Sequence, residues 1–170
     1  MFRLQGTTIE DSIPWSIESE LDTLKVIARC CDDVDESARN TALDKVPAPY
    51  LLEYHIEDQP ENSWLTNGFL VYIVMRHKKG ARLTKDEFWA MKRRQRDEMR
   101  TAFMNSYNEM LYLKICHGDQ AIRNLLWDLD STPVQCNIVD FEGANMLEES
   151  VKRDAKLSKW TYLPWGLAEN

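Results

Sequence analysis

The sequence has few of the features that mark enzymes built around a nucleotide or a catalytic triad. Its 170 residues include only six glycines, and no glycine-rich phosphate-binding pattern occurs among them. The three histidines, His55, His77 and His117, form no His-x-x-x-His pair, and no serine or cysteine nucleophile motif is present. The sequence therefore excludes the common nucleotide-dependent and zinc-protease motifs, and it favours a protein that is not an enzyme.

Cysteine is also scarce, and its spacing fits neither a disulfide framework nor a zinc site. Neighbouring cysteines such as Cys30 and Cys31 rarely bridge each other, because disulfide geometry is hard to meet between adjacent residues. Zinc ligands are usually paired at spacings of about two to four residues, unlike Cys116 and His117, which are adjacent. We expect reduced thiols, with Cys30, Cys116 and Cys136 packed as small apolar residues, and no cofactor.

Long apolar runs are missing. The longest is Phe69–Met75, far short of the roughly 20 residues that a membrane-spanning helix needs. The first residues contain no basic segment followed by an apolar one, so no signal peptide is predicted. We expect a soluble chain that is not secreted and does not contact a membrane.

Charge is abundant but unevenly distributed. The net charge is −7, with 44% apolar and 29% charged residues, which is typical of a globular domain. Residues 1–65 contain 14 acids and 5 bases, whereas residues 76–100 contain 10 bases and 4 acids. This asymmetry predicts a molecule with one basic face.

Two segments are predicted to be strands of one hairpin. Residues 50–57 alternate, with Tyr50, Leu52, Tyr54 and Ile56 on one side, which predicts a half-buried strand. Phe69–Met75 is apolar on both faces, which predicts a central strand covered on both sides, by the N-terminal helix or by a partner chain. A third strand is predicted at 134–141.

The helical signals complete an α+β fold. They predict a first helix at 17–31 and a long helix from the Thr84–Glu87 capping box to about residue 115, ended by Gly118. Asp119 is expected to cap a short helix whose apolar side holds Ile122, Leu125, Leu126 and Leu129. We therefore predict a small mixed or antiparallel sheet of about four strands, packed with a long helix and two to three shorter helices. The expected divisions are an N-terminal arm at 1–15, one domain at 16–150 and an aromatic C-terminal arm at 151–170.

Two groups of residues could carry chemistry, and both have a simpler interpretation. His55 lies between Glu53 and Glu57 on the polar side of its strand. It could act as a general base, or it could be an ordinary residue of a solvated strand face. Asp140 and Glu142 could hold a divalent cation from one strand face, yet no lysine follows them within the strand. We expect solvated polar residues in both places, with no catalytic residue and no metal site.

The basic stretch and the aromatic C-terminus form the predicted interaction surface. Lysines and arginines spaced by four on the long helix would line one face. They could pair with acidic neighbours, follow the phosphates of DNA, or meet the acidic region of another subunit. The C-terminal aromatics could pack on the core or dock on another chain. The surface comprises Arg76, Lys78, Lys79, Arg82, Lys92, Arg96, Arg100, Trp160, Tyr162 and Trp165.

The order of a first helix, a hairpin, a basic loop, a long helix and a late strand resembles the small neck and tail-completion proteins of tailed bacteriophages. This resemblance, which includes tail-terminator-like ring subunits, covers most of the chain but contains no diagnostic motif. It implies a structural virion protein that forms a ring between head and tail, contacts neighbouring virion proteins and is present in the host cytoplasm during assembly. The alternatives are an acidic protein that inhibits a defence or toxin enzyme, and a metal-dependent enzyme.

Overall fold

The computed structural model of the chain describes residues 3–4, 7–8, 45–59, 69–147 and 159–169. The predicted helix at 17–31 lies outside these ranges. The predicted α+β class is confirmed, because one long helix is combined with short helices and small antiparallel sheets.

The strands form antiparallel pairs instead of one continuous sheet. In the described residues each sheet has two strands, so the predicted sheet of about four strands is replaced by separate ladders. The pairs are β1 (Arg3–Leu4) with β2 (Thr7–Thr8), β3 (Leu51–Asp58) with β4 (Phe69–Met75), β5 (Ile115–Cys116) with β8 (Asn145–Met146), and β6 (Leu125–Asp128) with β7 (Gln135–Ile138). The helices within the described ranges are α1 (Lys85–Ala90), α2 (Arg93–Tyr112) and α3 (Lys159–Tyr162), with a 3-10 turn at Ile122–Asn124.

The predicted long helix is interrupted after one and a half turns. The Thr84–Glu87 capping box starts α1 as expected. Met91 and Lys92 then adopt extended backbone angles, and α2 begins at Arg93. The Arg96 guanidinium donates to the carbonyls of Trp89 and Met91 at 2.8 and 2.9 Å, which satisfies acceptors that the end of α1 leaves open.

The end of α2 also differs from the prediction. The helix stops at Tyr112, and Lys114 takes a left-handed conformation with φ of 62°. Gly118 lies after β5 and does not cap the helix. The prediction that Gly118 ends the helix is wrong because glycine often, but not always, supplies the left-handed residue after a helix. Here Lys114 takes that conformation.

The predicted short helix after Asp119 is a strand. Only Ile122–Asn124 is helical, and β6 follows with Leu125 and Trp127 buried between half-buried neighbours. That alternation has the period of two that a strand requires. The predicted third strand is confirmed as β7, although it is shorter than residues 134–141.

The core lies where α2 packs against β5 and β7. The Ser106 hydroxyl of α2 donates to the Cys136 carbonyl of β7 at 2.6 Å, which joins the two elements with a buried hydrogen bond. Met99, Phe103 and Met110 are the residues of α2 that lie deepest in this core, each at most 2% exposed. The largest fully buried side chains are Trp127, Trp165, Phe88, Phe103, Phe141, Met99, Ile115, Leu125, Ile138 and Leu167.

Candidate interaction surface

The β3–β4 hairpin exposes several large apolar side chains. Leu51 and Ile73 pack against the core, yet five other large apolar side chains are between 38% and 55% exposed. The chain alone therefore does not cover β4 on both sides, and the predicted burial of the alternating side of β3 is wrong. The exposed residues are Leu52, Tyr54, Tyr72, Val74 and Met75.

A β-bulge explains why the predicted buried side of β3 is wrong. Leu51 pairs with Met75 and Glu53 pairs with Val74, so Leu52 is the extra residue between them. A bulge turns the residues that precede it relative to those that follow. Tyr50 is buried as expected, while Leu52 is 55% and Tyr54 39% exposed.

The two strands of the hairpin differ in charge. β3 carries three acids and a histidine on its exposed positions, whereas β4 has no charged residue along its seven residues. Among the described residues, β4 pairs with β3 alone. Natural edge strands are usually protected by charge, proline or a covering element, and the side chains of β4 supply no charge.

His55, Glu57 and Tyr72 form a polar cluster on one face of the hairpin. The Tyr72 hydroxyl donates to Glu57 Oε1 at 3.0 Å, and His55 Nε2 lies 3.5 Å from Glu57 Oε2. The hydrogen bond to the ionised Glu57 raises the pKa of Tyr72, because the phenolate would be repelled. All three side chains are exposed, so the cluster fits a solvated face and lacks the enclosure of an active site.

The basic loop after β4 is held against the core. Ala81 and Trp127 exchange backbone hydrogen bonds of 3.0 and 2.9 Å, and a Cβ on Gly80 would lie 2.9 Å from the Trp127 backbone. Lys78, predicted to be on the surface, is only 7% exposed and lies 5.9 Å from the Tyr50 ring centre. The exposed bases of this loop are Arg76, Lys79 and Arg82.

The predicted basic row on the long helix does not form as an exposed set. Lys92 is exposed, but Arg96 and Arg100 are half-buried. Arg96 stacks 4.9 Å from the Trp89 ring, in addition to its hydrogen bonds to the end of α1. Arg100 donates through Nε to the Leu167 carbonyl at 2.8 Å. Both guanidinium groups therefore hold the fold together, since each donates to at least one backbone carbonyl and lies against an aromatic ring of the same chain.

The C-terminal aromatics separate into one exposed residue and two packed residues. Trp160 is 76% exposed, whereas Tyr162 is half-buried and Trp165 is fully buried. Trp165 lies 5.2 Å from both the Phe103 and His117 ring centres. The alternative in which this segment packs on the core is thus correct for residues 162–167, and only Trp160 remains available on the surface.

His117 and the described cysteines are structural. His117 is buried, its Nε2 donates to the Val139 carbonyl at 3.0 Å, and its Nδ1 accepts from the Asp119 N–H at 3.2 Å. These partners use both ring nitrogens and assign the proton to Nε2. Burial raises the pKa of the Cys136 thiol, which keeps it protonated.

The acidic pair has no site-like geometry. Asp140 and Glu142 follow the end of β7, both side chains are exposed, and Asp140 has a φ of 67°. Within the described ranges, no group of three or more histidine, cysteine or acidic residues is arranged to hold a metal ion. A groove of about 490 Å³ between α2 and the loop after β6 is open to solvent, and its lining includes Glu98, Asn105 and Pro133.

No helix in the described part of the chain is both long enough and apolar enough to cross a membrane. No protein-family model, no curated protein and no solved structure matches the chain.

Proposed function

We propose that this protein is a non-enzymatic assembly subunit that docks its β3–β4 hairpin against a neighbouring chain. The observation that carries the proposal is the set of five large apolar side chains, each at least 38% exposed and divided between the two faces of a hairpin whose strand β4 has no charge. Removing apolar surface from water is favourable by about 25 cal/mol per Å². A strand without charge at the edge of a sheet is also a ready template for pairing with another chain.

The resemblance to phage neck and tail-completion subunits supports a place in the virion of a tailed bacteriophage, in a ring between head and tail. Further copies and neighbouring virion proteins would be its partners, and assembly would take place in the host cytoplasm. The exposed bases Arg76, Lys79 and Arg82 provide a surface for an acidic neighbour or for DNA.

Purified virus particles provide the test. Mass spectrometry should detect the chain as a stoichiometric component of complete particles. A chain carrying Val74→Lys should fold but should give particles with heads and tails unjoined, because a lysine on the uncharged strand β4 disfavours docking. Absence of the chain from complete particles would contradict the virion proposal.

The acidic strand β3 favours a second candidate, an inhibitor that binds a basic enzyme surface. Glu53, Glu57 and Asp58 are exposed along this strand. An inhibitor would be absent from particles, and Glu53→Gln with Glu57→Gln would weaken its binding more than Val74→Lys does. The two candidates therefore differ in which strand of the hairpin is sensitive to substitution.

A further inference from the structure

We infer that the edge of β4 that faces away from β3 pairs with β4 of a second copy of the chain. The two strands are antiparallel and are related by a two-fold axis. This inference rests on the proposed function, because it names the partner of the exposed hairpin. Two hairpins would then form one four-stranded sheet, with the acidic strands β3 outside and the uncharged strands β4 at the centre. The geometry of the hairpin carries this inference in three steps.

The first step is the direction of the backbone groups of β4. The Arg76 N–H donates to the Tyr50 carbonyl at 2.9 Å, so residue 76 faces β3. Backbone groups alternate along a strand, so those of Leu70, Tyr72 and Val74 also face β3. The odd-numbered residues of β4, from Phe69 to Met75, therefore direct their N–H and C=O groups away from β3.

The second step is the register. Pairing in which Tyr72 lies opposite Tyr72 of the other copy brings all seven residues of β4 into the ladder. The odd-numbered residues then form the hydrogen-bonded pairs, with Val71 opposite Ile73, so the register agrees with the outward direction of their backbone groups. Every cross-strand pair is apolar or aromatic, and such pairs stabilise a sheet by about 0.2–1 kcal/mol each.

The third step is charge, which separates this pairing from the alternatives. Two β3 strands paired about His55 would place Glu53 of each copy opposite Glu57 of the other, and like charges in directly opposite positions are destabilising. Head-to-tail pairing of β3 with β4 would place one β3, with its three acids, between two uncharged strands, whereas charged residues are characteristic of edge strands. Only β4 against β4 keeps every acid at the rim of the sheet.

Such a contact is isologous and closes on itself, so it makes a dimer. A ring built from these dimers would need a second contact elsewhere on the chain.

Cysteine cross-linking tests the two-fold axis. Opposite Cα atoms in a non-hydrogen-bonded antiparallel pair lie about 4.5 Å apart, within the range of about 4.4–6.8 Å that a disulfide accepts. The Tyr72→Cys variant should therefore link to itself under mild oxidation, shifting from the 19.9 kDa chain to a band of twice that mass. Peptide mapping should place the bond at residue 72, which separates it from bonds made by the native cysteines.

The controls use residues of similar exposure on β3. Leu52 is 55% exposed, and the Leu52→Cys variant should stay monomeric. The His55→Cys variant alone should stay monomeric as well, since His55 is also exposed on β3. A disulfide that forms only when Tyr72→Cys and His55→Cys are mixed would show head-to-tail pairing and overturn the two-fold axis. A self-linked His55→Cys variant would overturn it in favour of β3 pairing. If no variant links, β4 does not pair with itself, whereas the presence of the chain in particles would still support the proposed function.

Discussion

Replacing Trp165 by alanine tests whether the C-terminal segment belongs to the core or is an arm held for partners. Trp165 is fully buried, and its ring centre lies 5.2 Å from Phe103, 6.1 Å from Tyr107 and 5.2 Å from His117. The next turn of chain is held as well, because the Leu167 carbonyl accepts from Arg100. The Trp165→Ala variant should therefore be strongly destabilised.

The magnitude follows from the buried area. A buried tryptophan removes about 150–250 Å² from water, which at about 25 cal/mol per Å² amounts to roughly 4–6 kcal/mol. This is an upper bound, because the unfolded chain already buries part of that area. The Trp165 indole nitrogen is buried without an acceptor among the described residues, which offsets part of the gain. We expect a loss near the low end of the range for such truncations, about 3 kcal/mol.

Urea unfolding followed by circular dichroism measures this loss. With an m value of about 2 kcal/mol per M, a loss of about 3 kcal/mol lowers the midpoint by roughly 1.5 M. Trp160→Ala is the matched control, because Trp160 lies in the same segment and is 76% exposed. It should change stability by no more than about 0.5 kcal/mol. Equal midpoints for the two variants would refute the packing of this segment on the core.

Three further predictions concern the helices. Arg100→Ala should lower the free energy of unfolding by about 1.5–3 kcal/mol, because it removes a charged hydrogen bond to Leu167, while Arg93→Ala at a side chain 89% exposed should have little effect in the same urea titration. Thr84→Ala should cost about 1 kcal/mol through loss of the cap of α1, measured by thermal unfolding. The Thr84 N–H and hydroxyl hold the pKa of Glu87 below its usual value, so the stabilisation by this carboxylate is present above its unfolded pKa and is lost as pH falls through the lower folded pKa. The difference in melting temperature between wild type and Glu87→Gln should accordingly shrink from about pH 7 to about pH 3.

Local signals in the sequence predicted the elements that depend on local interactions. The capping box at Thr84 and the bounds of Phe69–Met75 are as expected, because capping and β-branched runs act within a few residues. The burial of Phe103 and Met110 follows from helical periodicity in the same way.

The errors occurred where distant contacts decide the structure. Leu125 and Trp127 form a strand because β7 pairs with them. Their own segment does not indicate this partner, which lies later in the chain. Arg96 and Arg100 were counted with the surface because their spacing is helical, yet their guanidinium groups bind carbonyls five to 67 residues away. The strand Phe69–Met75 was expected to be covered by the N-terminal helix or by a partner chain, because an apolar strand is normally buried, and the single chain leaves it exposed.

The most direct test of β4 as a self-association surface is the light-scattering mass of the chain at micromolar concentrations. The wild type should exceed the 19.9 kDa monomer and approach it on dilution. Val74→Lys should be monomeric, and its hairpin should tolerate the change because Glu53 lies directly opposite in the same chain. Leu52→Lys, at a similarly exposed apolar position on the other strand, should associate like the wild type. A wild-type chain that stays at 19.9 kDa at every concentration, or a Val74→Lys variant that associates as the wild type does, would contradict self-association through β4.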